Sequence, residues 1–288
     1  MTTKKSKSSA DKVRLFHIIN IIIFIFIAAT VIVPILKIFV DSIDAKASYG
    51  INLWPKEFTL DAYKLIITTV ALYKPFVISI IVTVVGTLLG LLISTIGAYV
   101  LIQFDMPGRK LLSYILLFTL IFQGGMVPTF LAMRQYNLTD TLWSIILPAG
   151  LNVYNLILMR NFFESIPGSL FESAEIDGCS PIGIFVKIVL PLSKAALASI
   201  GLMFAVAYWN EYTNFTLYIS DSNLRNFQVM LRNLILEDSS LAGASSLGIY
   251  QTTVKNAAII VAIIPFLILY PICQKYFVTG INMGAVKE

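Results

Sequence analysis

Residues 172–191 read ESAEIDGCSPIGIFVKIVLP, a polar stretch lying between two long apolar runs. Pro167 and Gly168 punctuate its approach. Ser169 is followed three residues later by Glu172, the pattern of a capping box whose side chains satisfy the first free N–H groups of a helix. The spacing predicts a helix over residues 170–177, stopped at Gly178, a residue that tolerates the left-handed conformation beyond a helix end. Ser180 and Pro181 then predict a second start, with serine as N-cap and proline in the first turn. Ile184, Phe185, Ile188 and Val189 keep helical spacing as far as Leu190 and Pro191. Two short helices joined by a tight turn, with apolar runs on either side, are what this stretch encodes.

The flanking runs set the class of the chain. Of 288 residues, 57% are hydrophobic and 13% charged, too apolar a balance for a soluble domain pair. Six runs, at residues 17–40, 75–102, 111–133, 142–159, 192–218 and 256–276, are long enough to cross a hydrocarbon layer about 30 Å thick. In lipid such runs must be helical, because each backbone polar group needs an internal partner. An all-α, six-span membrane fold is therefore expected. Residues 1–14 and 278–288 are expected as cytoplasmic tails around a membrane domain at 15–277. That domain would carry a cytoplasmic loop at 167–191 and external segments at 41–74 and 219–254.

Lys4, Lys5, Lys7, Lys12 and Arg14 precede the first run, which is too long and lacks the small-residue cleavage pattern of a secretory signal. It is read as a retained span, and the basic cluster places the N-terminus in the cytoplasm. Six crossings return the C-terminus to the same side. The net charge of +5 is thus a topology signal, and nucleic-acid binding is not read from it. Cys179 and Cys273 fall on the cytoplasmic side, where neither a disulfide nor a metal site is expected. His17, the single histidine, has no acidic neighbour within a turn and reads as structural.

Along the chain, residues 61–67 form a mixed stretch that predicts a short surface helix. Gly86 and Gly90 make a small-xxx-small pair that permits close helix approach in lipid. Gln123, Gly124, Gly125 and Pro128 predict a loosened third span. No internal repeat and no Gly-Lys phosphate loop occur, and no catalytic constellation can be assembled. A conduit driven by another subunit accounts for this pattern better than an enzyme does. Polar candidates for touching a solute are Asn155 on the fourth run, beside Asn152 and Tyr154, and Trp209, Asn210, Tyr212 and Asn214 at the end of the fifth. Amides and hydroxyls exchange hydrogen bonds with sugar hydroxyls, while rings cover the apolar faces of pyranoses. An aromatic belt or interhelical hydrogen bonding is the alternative reading of the same residues.

Residues 172–191 resemble the EAA loop of ABC importer permeases: EAA, three residues, G, nine residues, then I-x-L-P, with Ser173 where that pattern has alanine. Gly124–Thr129, the run Leu158 to Phe163, Trp209-Asn210 and the tail from Gln274 resemble the carbohydrate-uptake branch, of the maltose-permease type that handles oligosaccharides and polysaccharide fragments. The resemblance implies a binding-protein-dependent importer in the bacterial cell membrane. It would contain a second permease subunit, two cytoplasmic ATPases that hold ATP and Mg, and an external solute-binding protein. It implies that Glu172 sits in a groove of the ATPase, that Ser173, Ala174, Asp177 and Gly178 share in the coupling, and that Pro191 passes motion to the fifth span. An amino-acid or metal ABC permease shares the loop and stays open as an alternative, as does an ion-coupled carrier.

Overall fold

The computed structural model describes residues 5–47, 50, 53–103, 106–122, 124–236, 248 and 250–285, with side chains between Arg14 and Lys275. Gln123, the basic residues Lys4 to Lys12 as side chains, and residues 237–247 of the predicted external segment lie outside that description. The described chain is helical, and its only β contact is an isolated antiparallel bridge between Asp44 and Phe58. It divides into two compact units, residues 1–68 with 237–261, and residues 69–236 with 262–288.

In the first unit α1 (Lys5–Ser42) runs into a turn organised by one carboxylate. Asp44 is buried and accepts the backbone N–H groups of Lys46, Lys56 and Glu57 at 3.0–3.1 Å. Burial alone would push this carboxyl up; the three amides and the Lys56 charge hold it below the ordinary carboxylate range. Around it Ala45 N–H donates to Glu57 carbonyl, Thr59 N–H to Ile43 carbonyl, and Thr253 Oγ1 to the carbonyl of Asp44 itself. The predicted surface helix is present as α2 (Asp61–Thr68), burying Ala62 and Ile66.

The second unit is built on α3 (Val70–Ile102), which has apolar residues on every face and must therefore be packed by side-chain size. Two of its glycines receive aromatic rings from α11 (Lys194–Trp209). A Cβ at Gly86 would stand 2.5 Å from the Tyr208 ring, and one at Gly90 would stand 2.6 Å from Phe204. The small pair read from the sequence thus forms the seam between these helices, and Tyr208 Oη also donates to the carbonyl of Ile146 at 2.8 Å. Next in chain order come α4 (Arg109–Ile121) and α5 (Met126–Gln135), bent by 115° at the glycine pair, where Gly125 has φ +85°. Neither helix buries a residue within the chain.

The run at 142–159 is not one helix. It is divided into α6 (Trp143–Gly150) and α7 (Val153–Glu164), because Leu151 is extended and Asn152 caps a new helix by accepting Asn155 N–H. Further on lie α8 (Gly168–Ile176), α9 (Pro181–Ile184), α10 (Leu190–Leu192) and then α11. The described chain closes with α12 (Thr213–Tyr218), α13 (Phe227–Leu236) and α14 (Gln251–Ala285). The last of these continues as helix well into the stretch predicted as a tail. Three helical stretches, Arg14–Ser42, Val70–Ile102 and Gln251–Lys275, are each long and apolar enough to cross a membrane unbroken. Counting each bent pair as one crossing raises the number among the described residues to five, against the six expected.

Candidate functional site

The turn at Gly178 is closed by its own backbone. Cys179 N–H donates to the Ala174 carbonyl and Gly178 N–H to the Glu175 carbonyl, both at 2.9 Å, the paired bonds of a Schellman motif. Gly178 sits at φ +76°, where a side chain would be strained. Ser180 Oγ accepts Gly183 N–H at 3.2 Å and Pro181 opens α9, as its sequence predicts. The capping box is not formed. Pro167 is the last non-helical residue, so α8 begins at Gly168, which draws Ser169 into the first turn where it cannot cap. Glu172 therefore makes no cap bond. With Glu175, Phe171, Gln103, Arg109 and Glu164 it lines a cavity of about 700 Å³. Ala174 is buried, whereas Glu172, Ser173 and Asp177 are exposed.

Beyond Ile184 the helix widens. Residues Phe185–Val189 form a π-helix in which Leu190 N–H reaches back to the Phe185 carbonyl. Pro191 explains this, since its ring would collide with the carbonyl four residues earlier in a regular α-helix. At Ser193 the chain turns by 79° and continues directly into α11. The short helices are anchored to α3 by Tyr99, whose hydroxyl donates to the Pro181 carbonyl at 2.8 Å and whose ring lies 4.8 Å from that of Phe185. Arg109 fixes the start of α4 to the same end of α3, its Nε donating to the Leu101 carbonyl at 2.6 Å. Its guanidinium lies 3.7 Å from Glu164, which also pairs with Arg160 at 2.9 Å.

The other end of α11 carries the polar and aromatic candidates, and adjacent residues there have different surroundings. Trp209 is 3% exposed; its ring meets Phe76 and Phe266 edge-on at 5.5 and 6.1 Å, and its N–H donates to the Ala262 carbonyl at 3.2 Å. Asn210 ends the helix and is exposed, its amide donating to the Val206 carbonyl. Glu211 accepts Asn214 N–H at 2.9 Å and so starts α12. Tyr212 is half-buried beneath the guanidinium of Arg232, 4.5 Å from its ring centre. Asn155 is 3% exposed, and its side-chain oxygen has no partner among the described residues.

The structure does not gather Asn155 with Trp209 and Asn210. Leu156 lies against Gly97 and Tyr208 against Gly86, levels of α3 that are separated by about three turns, roughly 16 Å. Two features escape the sequence reading. Asp140, at φ +58°, accepts Ser220 and Asp221 N–H groups, and its own N–H donates to the Tyr218 carbonyl. Its only local signal is that aspartate tolerates the left-handed region. Arg232 stands out in sequence only as a cation on an apolar helix. Among the described residues no three metal-ligating side chains converge.

No family model matches the chain. It is 41% identical over 284 residues to the polygalacturonan/rhamnogalacturonan transport system permease protein YtcP of Bacillus subtilis (strain 168), covering 96% of this chain and 99% of that one. It is 39% identical over 281 residues to protein LplC of the same organism, covering 95% of each. Among solved structures it is similar, at a TM-score of 0.87 and 34% identity, to a chain of a bacterial ABC transporter involved in the import of the acidic polysaccharide alginate. That match covers 96% of this chain and all of the other. The molecule is thus a multi-pass membrane transport subunit. It belongs to the carbohydrate-uptake branch of the ABC importer permeases.

Proposed function

We propose that this chain is the conduit of an importer for acidic oligosaccharides, working beside a second, non-identical permease, two ATPases that hold ATP and Mg, and an external solute-binding protein. The Gly178 end of α11 faces the cytoplasm in this scheme, both termini lie on the same side, and α6 with α7 completes a sixth, broken crossing. Glu172, Ser173 and Asp177 are exposed where an ATPase groove would receive them, helix-in-groove fashion. Asn210, Tyr212 and Asn214 meet the solute at the outer end of α11. Trp209 holds that end in place through packing, and Asn155 lines the same path nearer the cytoplasm. The names of the relatives support an acidic carbohydrate: polygalacturonan/rhamnogalacturonan for one, alginate for the other.

The observation that carries this mechanism is continuity. From the closed turn at Gly178 the backbone runs as helix through the π-segment, turns once at Ser193, and continues to Asn210 with no long loop between. Force applied at α8 and α9 is thereby delivered to the solute end along one connected element. Reconstituted with its partners in proteoliposomes, the complex should take up trigalacturonate only when ATP and the binding protein are both present. Gly178→Val should lower that uptake about tenfold, since the left-handed conformation costs a side chain about 1–2 kcal/mol, while basal ATP hydrolysis persists. Uptake without ATP, or undiminished uptake by Gly178→Val at equal reconstitution, would overturn the scheme.

A further inference from the structure

We infer that Arg232, held above the ring of Tyr212, is the residue that reads the carboxylate of an acidic sugar at the outer end of this chain. The inference rests on the solute path proposed above. A guanidinium stacked on an aromatic face keeps its edge donors free, and those donors match the two oxygens of a carboxylate. Arg232 lies 4.5 Å above the Tyr212 ring and is exposed, and no carboxylate among the described residues pairs with it.

The acids of the connecting segments each accept donors of the chain. Glu211 takes Asn214 N–H, Asp221 takes the N–H and side-chain amide of Asn223, and Asp140 takes Ser220 and Asp221 N–H groups. Among the described residues no carboxylate is paired with this cation, and its exposed edge is open to an anion from outside the chain.

The arginine is also preorganised. Its helix, α13, starts at Asn226, which is fully buried, accepts Val229 N–H and donates to the Glu211 carbonyl. One residue on, Phe227 N–H donates to Ser79 Oγ on α3 at 2.9 Å, and its ring meets Phe76 edge-on at 5.4 Å. Phe76 touches Trp209 in turn, so one aromatic cluster supports both α13 and the end of α11. Arg232 and the Asn210–Asn214 segment therefore stand on elements fixed to the same helix. A uronate unit can place its carboxylate on the guanidinium and its hydroxyls on the neighbouring amides and phenol.

The test uses the complete reconstituted transporter and two probes, trigalacturonate and a neutral trisaccharide of galactose. Arg232→Lys, which keeps the charge but loses the flat two-pronged fork, should retain more trigalacturonate uptake than Arg232→Gln, within about fivefold of wild type. Arg232→Gln should lower kcat/KM about tenfold and Arg232→Glu about a hundredfold, the order expected for a charge-assisted contact that is removed and then reversed. Thermal stability should stay close to that of wild type across the series, since only an exposed ring contact is lost. Equal uptake by all three variants, or an equal loss that includes Arg232→Lys and accompanies lowered stability, overturns this assignment alone. A wild-type complex that takes up only the neutral probe, or neither, overturns the acidic substrate class and this assignment together.

Discussion

The turn around Asp44 and the α3–α11 seam are held by opposite means. In the first, a single buried carboxylate collects three backbone amides, and the surrounding turns are closed by hydrogen bonds. In the second, two glycines let two aromatic rings approach a helix backbone, and the tyrosine hydroxyl bonds a carbonyl of α6 rather than one across the seam. The difference follows from solvent. Turns outside the hydrocarbon leave many backbone groups in need of partners, and a carboxylate satisfies several at once. Helices already satisfy their own backbone and gain nothing in lipid from hydrophobicity alone, so close packing between small and large side chains holds them together.

That contrast can be broken by experiment. The largest effect is expected at Trp209, enclosed by Phe76 and Phe266, where Trp209→Ala should destabilise the purified protein by about 3–5 kcal/mol. Asn210→Ala, one residue further on and exposed, should leave thermal unfolding in detergent nearly unchanged. Equal shifts for the two would mean that packing does not distinguish them. Gly86→Leu comes next, at about 1–3 kcal/mol, because its new side chain must displace the Tyr208 ring. Should Gly86→Leu unfold at the wild-type temperature, the seam is looser than the 2.5 Å approach implies.

Asp44→Asn should have a smaller effect, and one that depends on pH. The carboxyl is held below its ordinary range in the folded protein, so the stability it contributes is present at neutral pH. That contribution fades as pH falls below about 4 and on through the depressed folded value. Wild type should therefore lose more stability than Asp44→Asn between neutral pH and pH 3, as followed by protection of the residue 43–59 amides from hydrogen exchange. Parallel acid profiles would deny the carboxylate its role. The smallest effect is expected on α4, which buries nothing within the chain: Ile115→Ala should change the stability of the isolated protein by no more than about 0.5 kcal/mol. A larger loss there would show that α4 packs within its own chain.

Features written within a few neighbouring residues were legible. Gly178 after a helical pattern, Ser180 before proline, Gly86 four before Gly90, and Gly124 beside Gly125 each behave as their local chemistry predicts. Two local readings failed for local reasons. Pro167 set the start of α8 one residue ahead of Ser169, which removed the capping box, and Asn152 competed for a helix start inside an apolar run. Asn155 and Trp209, both read as candidates for touching a solute, lie at different levels of α3, a separation that no short spacing encodes.

Composition and short-range pattern by themselves determined that this chain is a helical membrane protein with a closed polar turn between apolar stretches, and that turn carried the family resemblance. Those properties depend on residues one to four apart and on the bilayer's demand for satisfied backbone. The tertiary structure alone decided that Trp209 is packed while Asn210 is open, that Asp140 joins residues 80 positions away, and that Arg232 lies over Tyr212. Each of these depends on which helix meets which, and at what depth. That register is set by the matching of small and large side chains along whole helices, a property that neither hydropathy nor local spacing contains.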